Sequence, residues 1–222
     1  MRQRLDISSR YLPQAVVVAH GEMVGDAETQ RLLEQSEHVV VCDGALERYL
    51  ELTDRMPDAV VGDGDSVQEE LLTKLGLTMV QVAEQETNDL TKSVRYALEQ
   101  GWRRLSIVGG TGKREDHMLG NFSLLADYHF ELGAEVRMSS QYGLFVPFTG
   151  ELTVDLIRGQ QLSFFALEQV PMSVEGVLYP FEGQVFDRLW QATLNEALGG
   201  EVRVHAAGRA MIYISNDIKS RE

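Results

Sequence analysis

The fold is decided by Ala59-Val60-Val61-Gly62-Asp63-Gly64-Asp65-Ser66. Three small or β-branched apolar residues run without a polar interruption, as in a strand buried on both faces. They end in a loop loosened by two glycines, and a helical pattern from Val67 to Leu75 follows. Strand, acidic loop and helix together form the repeating unit of a parallel α/β sheet. Asp63 and Asp65 stand two residues apart on that loop and can converge on one hard cation. Mg²⁺ held by a few carboxylates together with substrate phosphates is common in phosphate chemistry. In isolation the same residues also make an ordinary acidic turn. The segments on either side weigh against that simpler reading.

From residue 15 to about residue 140 the same unit recurs. Ala15–Ala19 is a buried apolar run ending at His20-Gly21, and a helical stretch near Ala27–Gln35 follows. Val39–Cys42 is a second run, ending at Asp43-Gly44, with a helical pattern at Ala45–Leu52. A strand near Met79–Val82 precedes Thr87-Asn88, either of which can cap the next helix. That helix carries Leu90, Val94, Ala97 and Leu98 on one face. Leu105–Val108 runs into Gly109-Gly110; a helix from about Asp116 to Phe130 and a strand at Glu135–Met138 complete the half. In open α/β sheets, ligands bind at the carboxyl edge of the strands. That edge here presents Asp43-Gly44, Gly62–Asp65, Asn88-Asp89 and Gly109–Gly112.

From about Gly150 the period changes. Leu152, Val154 and Leu156 alternate, as do Val202, Val204 and Ala206, and Leu162–Leu167 and Ser173–Leu178 are further strand candidates. Ala207-Gly208 reads as a turn between two strands, and Phe181–Leu198 leaves room for a short helix. The expected fold is a parallel three-layer α/β domain over residues 1–145. A smaller antiparallel β-sandwich or barrel follows over 146–222.

The chain has 222 residues, 44% hydrophobic and 24% charged, the balance of a globular protein with an ample core. No run of about 18 apolar residues argues for a membrane span. The first ten residues lack the apolar centre of a signal peptide. One cysteine, Cys42, allows neither an internal disulfide nor a cysteine-built zinc site. The cytoplasm is the expected location. A formal net charge of −14 opposes nucleic acid and anionic membrane as partners. It also opposes a free nucleotide, so a nucleotide site needs metal ions and local cations.

Asp89 at a helix start suits the positive helix end. It reads either as a capping carboxylate or as a third acid directed at a metal, with Lys92 one turn on as a cation for phosphate. Gly109-Gly110-Thr111-Gly112-Lys113-Arg114-Glu115-Asp116-His117 joins a strand to a helix. Its glycines admit close backbone approach, the helix start favours anions, and Arg114 can grip phosphate by two parallel hydrogen bonds. It is neither a Walker A loop nor a G-x-G-x-x-G fingerprint. Ser66 has no partner base, so a serine nucleophile is not expected, and Cys42 reads as a packing residue.

Taken together, Asp43-Gly44-Ala45, Gly62–Ser66, Asn88–Lys92 and Gly109–His117 resemble, in order and spacing, the catalytic domain of the thiamine pyrophosphokinase family. The resemblance covers residues 15 to 140 well. It implies an α/β domain followed by a β-rich one, a homodimer with thiamine held between subunits, and diphosphate transfer from ATP to the thiamine hydroxyl. It implies Mg²⁺ on Asp63, Asp65 and Asp89, and Arg114 on the migrating diphosphate. Asp43, Gly44, Gly62, Ser66, Asn88, Lys92, Gly110, Thr111, Gly112, Lys113 and His117 would contact the substrates. Whether a metal-site aspartate or Asp116 takes the hydroxyl proton is left open. In the second half, Gly176–Phe181 is similar to the family's Gly-Leu-Lys-Tyr/Trp-x-Leu segment, which makes Tyr179 the stacking residue for thiamine. Thr193–Glu196 is similar to a Ser-Asn-Glu element and brings in Asn195. Leu194 replaces the serine there, Gly64 stands where a bulkier residue is usual, and Asn88 where threonine is common. The departure at Leu194 keeps another hydroxymethyl heterocycle such as a pterin in view as acceptor, and the acidic surface and absence of an unambiguous base keep a non-catalytic thiamine- or nucleotide-binding module in view.

Overall fold

The computed structural model describes residues 2–65 and 69–219; Ser66 lies outside the described residues. The chain divides into two compact units, Leu12–Gln141, and Tyr142–Glu222 together with Met1–Tyr11. It starts with β1 (Arg2–Arg4), which belongs to the second unit.

The α/β unit contains β2 (Ala15–Val18), α1 (Ala27–Gln35), β3 (His38–Cys42), a single 3-10 turn at Asp43–Ala45, and α2 (Leu46–Leu52). Then come β4 (Ala59–Gly62), α3 (Glu69–Leu75), β5 (Met79–Gln81), α4 (Asp89–Glu99), β6 (Arg104–Val108), α5 (Glu115–Phe130) and β7 (Glu135–Ser140). Within it the strand order is β5-β4-β3-β2-β6-β7, and every neighbouring pair is parallel. All residues of β2 and β4 are buried, so both faces of the sheet centre are covered, as continuous apolar runs require. Val16, Val17 and Val18 are fully buried, each worth about 1.5–3 kcal/mol relative to exposure. A charge at Val17 would remove one such contribution and add a desolvated ion to the sheet centre.

The order fixes where a ligand can sit. From β2 the chain steps outward through β3 and β4 to β5. The return helix α4 then lies against β4, β3 and β2 and delivers β6 to the other side of β2. Leu90, Val94 and Ala97 of α4 are buried at that crossing. The strand order therefore reverses between β2 and β6, and open α/β sheets bind ligands at such a switch point.

The β-rich unit holds β8 (Gly143–Leu156), β9 (Gln160–Ala166), β10 (Pro171–Glu175), β11 (Phe181–Val185), β12 (Asn195–Glu196) and β13 (Gly200–Ile218). All pairings are antiparallel except β1 with β8. Phe148, Leu152, Val154, Phe164, Met172, Val204 and Ile212 share one core.

Three features differ from expectation. The N-terminal residues do not join the α/β unit: Arg2 to Arg4 pair with Glu151 to Thr153, and the N–H of Leu5 donates to the Thr153 carbonyl at 2.8 Å. Ala207-Gly208 is not a hairpin turn. β13 runs through it, and the register shifts between Ala206 and Ala210. Before the bulge β13 pairs with β10; after it, with β9. Bulges bend strands in this way, and at Gly208 the Glu168 carboxylate lies close over the backbone. Phe181–Leu198 holds two short strands and no helix. No helix among the described residues is long and apolar enough to cross a membrane.

Candidate active site

At the switch point the loops leaving β2 and β6 are laced together. The Gly21 N–H donates to the Gly109 carbonyl at 2.6 Å and the Glu22 N–H to the Thr111 carbonyl at 2.7 Å. A side chain at Gly21 would overlap both carbonyls. Gly109 and Gly112 have φ of 67° and 73°, the left-handed region that glycine enters without cost. Lys113 adopts φ 55° in the same turn, a conformation uncommon outside glycine. Between this loop and the start of α4 lies a cleft of ≈ 300 Å³. His20, Asn88, Asp89, Gly110, Gly112, Lys113, Arg114, His117 and Asn121 line it. His20 has its pKa lowered, chiefly by burial and then by Lys113. It packs on Gly44, where a Cβ would stand 2.5 Å from its Nδ1.

The carboxylates come from adjacent strand ends. Asp43 follows β3 and Asp63 follows β4, its neighbour. Ligand oxygens of Asp43, Asp63 and Asp65 all lie within 4.8 Å of one another. Asp43 is 2% exposed and accepts the N–H groups of Gly44 (2.6 Å) and Gly64 (3.1 Å). Burial first, and Asp89 second, push its pKa up. Asp63 accepts the Asp65 N–H at 3.2 Å and Gln85 Nε2 at 3.0 Å, and its pKa is lowered by those two bonds in that order. Its carbonyl accepts Gln81 Nε2 at 3.0 Å.

The expected metal group was Asp63, Asp65 and Asp89. Among the described residues the carboxylates whose oxygens lie within 4.8 Å of one another are Asp43, Asp63 and Asp65, and Asp89 is near enough to raise the Asp43 pKa. Lys92, an ammonium almost wholly buried, stands 3.1 Å from Asp89 and 3.7 Å from Asp63 and links the two carboxylates. Burial alone would lower the Lys92 pKa; the hydrogen bond and charge of Asp89, then Asp63 and Glu84, outweigh it and raise it. Lys92 thus serves carboxylates as a fixed counter-charge. Charges left unpaired in a protein interior are strongly destabilising.

Arg114 and Asp116 face each other by two parallel bonds, Nε to Oδ1 at 3.0 Å and Nη2 to Oδ2 at 2.5 Å. The hydrogen bonds from Arg114, followed by the His117 N–H, draw the Asp116 pKa down to about 2. A carboxylate held there is a weak base. Asn88 caps α4, and its Oδ1 accepts both the N–H and the hydroxyl of Thr91 at 2.9 and 2.8 Å. In the β-rich unit the Tyr179 ring is exposed. Asn195 spends its side chain on the chain itself: Oδ1 accepts the N–H of Tyr179 at 3.1 Å and of Glu196 at 2.9 Å, and Nδ2 donates to the Tyr179 carbonyl at 2.8 Å. It is a buried brace for Tyr179 rather than an outward-facing ligand group. Cys42 also borders the cleft, and burial pushes its thiol up to about 12, as a packing residue requires.

Gln81, Gln85 and Asn121 were not anticipated. Glutamine near an aspartate has no motif value, and Asn121 lies 11 residues beyond the carbonyl it reaches, Gly110.

Comparison with known proteins bears on both units. A family model described as thiamin pyrophosphokinase, catalytic domain, matches residues 29–136, and one described as thiamin pyrophosphokinase, substrate-binding domain, matches 143–213. Thiamin pyrophosphokinase 1 of Caenorhabditis elegans is 26% identical over 135 residues, 57% of this chain. The chain's match spans about half of that curated relative, 55% of its length. The crystal structure of thiamine pyrophosphokinase from Bacillus subtilis has a TM-score of 0.77 at 21% identity, over 92% of this chain and 99% of that one. The yeast enzyme has a TM-score of 0.80 at 12% identity, over 97% and 91%. At those identities the structures speak for the fold. The two family models, in order and together spanning most of the sequence, match the unit that carries the carboxylates and glycine loop and the unit that carries Tyr179, and the chain belongs to the thiamin pyrophosphokinase family.

Proposed function

We propose that the protein transfers diphosphate from ATP to the hydroxyl of thiamine, giving thiamine diphosphate and AMP. The observation that carries this reading is one sheet edge combining an all-oxygen carboxylate group with a glycine loop, inside a chain whose residues 29–136 and 143–213 are matched by the family's two models. The hydroxyl oxygen attacks the β-phosphorus. The bond from that phosphorus to the α,β-bridging oxygen breaks, AMP leaves with the electron pair, and the hydroxyl proton is released.

The donor set fits a divalent metal. Asp43, Asp63 and Asp65 offer only hard oxygen atoms, within 4.8 Å of each other, which suits Mg²⁺ better than a softer ion. Those three would hold it, with Asp89 adjacent. A bound Mg²⁺ supplies neutralising charge for the ATP phosphates. The residues of the chain do the rest. The glycine loop brings backbone N–H groups close to phosphate, and Lys113 and Arg114 add the positive charge that the chain as a whole lacks. Lys92 keeps Asp89 and Asp63 aligned. Asp116 holds the Arg114 fork rather than acting as base. Catalysis of this kind is positioning and charge stabilisation.

Tyr179 is assigned to stack on thiamine, with Asn195 bracing its backbone. The exposed Tyr179, Trp190 and Leu194 support a second copy of the chain covering this surface, as a homodimer. The net charge of −14 supports no nucleic-acid partner, and the single reduced cysteine supports a cytoplasmic location. The test is an acceptor panel: ATP and Mg²⁺ with thiamine or a hydroxymethyl pterin, products separated by chromatography. Thiamine diphosphate with equimolar AMP is expected. Preference for the pterin, or nucleotide binding without turnover, would replace this reading.

A further inference from the structure

The loop at Gly109–Thr111 is held by its carbonyls. Gly109 and Thr111 accept the N–H groups of Gly21 and Glu22, as described above, and the carbonyl between them, Gly110, accepts Asn121 Nδ2 at 2.9 Å. All three consecutive oxygens are therefore occupied. Among the described residues no acceptor meets the N–H groups of Thr111, Gly112 and Lys113. A loop that is to receive an anion needs this division, with carbonyls turned to the protein and N–H groups left for the ligand.

The bond to Gly110 differs from its two neighbours because it comes from a side chain, and the direction of that side chain is imposed from elsewhere. Asn88 Oδ1 already accepts twice from Thr91. Its Nδ2 is then the group facing Asn121 Oδ1, at 3.3 Å. With Oδ1 accepting from Asn88, Asn121 has only its Nδ2 to offer Gly110. The Thr91 hydroxyl gives its one proton to Asn88, so the Tyr128 hydroxyl, at 2.7 Å from it and buried, must donate. Protons thus run one way, from Tyr128 through Thr91, Asn88 and Asn121 to Gly110. No amide in the chain can flip without breaking two bonds.

We propose that Asn121 is a positioning residue for the nucleotide phosphates. By fixing the Gly110 carbonyl it fixes the Gly110–Thr111 peptide plane. In a trans peptide the Thr111 N–H points opposite to that carbonyl. Asn121 also ties the loop to the α4 start that carries Asp89, so the phosphate-facing amides and the acidic helix end share one register. The proposal rests on the nucleotide reading above, and its test separates the two.

Asn121→Leu is close in size, carries no charge and removes both bonds. The affinity of a non-hydrolysable ATP analogue with Mg²⁺, measured by calorimetry without thiamine, falls about 10- to 100-fold, the scale of a buried carbonyl left unpaired. The KM for ATP rises by a similar factor while the KM for thiamine stays within about twofold. Asn121→Ala carries the same measurement if the leucine variant does not fold. Tyr128→Phe is the structural control, because Thr91 keeps its donation to Asn88. It lowers thermal stability and leaves nucleotide affinity within about twofold. Unchanged affinity in folded Asn121 variants overturns the proposal, as does equal loss in Tyr128→Phe. If the wild-type protein binds the analogue yet makes no thiamine diphosphate, the catalytic reading falls and the affinities still decide this one. A wild-type protein that binds no nucleotide overturns both.

Discussion

Replacing Gly62 by alanine tests how the carboxylate group is built. Gly62 ends β4 with an ordinary φ, so alanine incurs no backbone strain there, and the effect is steric. A Cβ at this position would overlap the Asp43 carboxylate, with Oδ1 at 2.7 Å and Cγ nearer still. Asp43 is 2% exposed and cannot swing into water. To clear the methyl it must give up at least one of the two N–H groups it accepts, from Gly44 and Gly64. A lost hydrogen bond to a charged acceptor costs about 1.5–3 kcal/mol, and forcing a methyl into a packed site about 1–3 kcal/mol. Some relaxation is shared between them, so about 3 kcal/mol is expected. For a protein of this size that lowers the Tm by roughly 6–12 °C. Turnover drops by at least about 100-fold, because the displaced oxygen belongs to a site that acts as a unit. The assays are thermal unfolding by circular dichroism and product formation at saturating ATP and thiamine. Gly120→Ala is the matched control: a Cβ there meets nothing within 4 Å, on helix α5. It raises stability by about 0.5–1 kcal/mol through helix propensity alone. A Gly62→Ala protein with wild-type Tm and turnover would show that Asp43 is not held as described.

Other predictions follow from single side chains. Lys92→Met strips the counter-charge from Asp89 and Asp63, so the Asp63 and Asp89 carboxylates repel and turnover falls; unchanged turnover in a folded variant refutes the counter-ion role. Asp116→Asn lowers turnover by freeing Arg114 but leaves both limbs of the pH–rate profile in place, because a group titrating near 2 is ionised throughout the working range; a lost limb would make Asp116 the base after all. Cys42, its thiol pushed up to about 12 by burial, stays unreacted with a thiol reagent in the native protein and reacts fully in denaturant; rapid native labelling contradicts its packing role. Chelation of divalent metal abolishes turnover and added Mg²⁺ restores it, while persistent activity in chelator removes the carboxylate group from the reaction.

The α/β unit was legible because its signals are local. Buried parallel strands read as uninterrupted apolar runs, and their ligand-facing ends read as glycine and aspartate. The features that escaped depend on partners distant in sequence. Arg2-Gln3-Arg4 carries no strand signal of its own; it becomes β1 only because β8 offers an edge. Ala207-Gly208 is a turn or a bulge according to whether its flanking segments pair with each other or with third strands, and β9 and β10 decide that. Strand-edge reasoning brought Asp43, Asp63, Asp65 and Asp89 to one place but assigned no distances. Lys92, on α4, bridges Asp89 and Asp63, a link that depends on the fold and carries no motif of its own. Asn121 and Gln85 gave no signal because each works through one amide aimed at a residue 11 or more positions away.

The proposed reaction moves two phosphates together from one sheet edge. Its most direct measurement is ³¹P NMR of the folded protein with ATP, Mg²⁺ and thiamine, following each phosphorus. The β- and γ-phosphorus signals of ATP are expected to leave together and reappear as a diphosphate on thiamine, with AMP formed in equal amount. ADP and thiamine monophosphate as products, with only the γ-phosphorus moved, would contradict it.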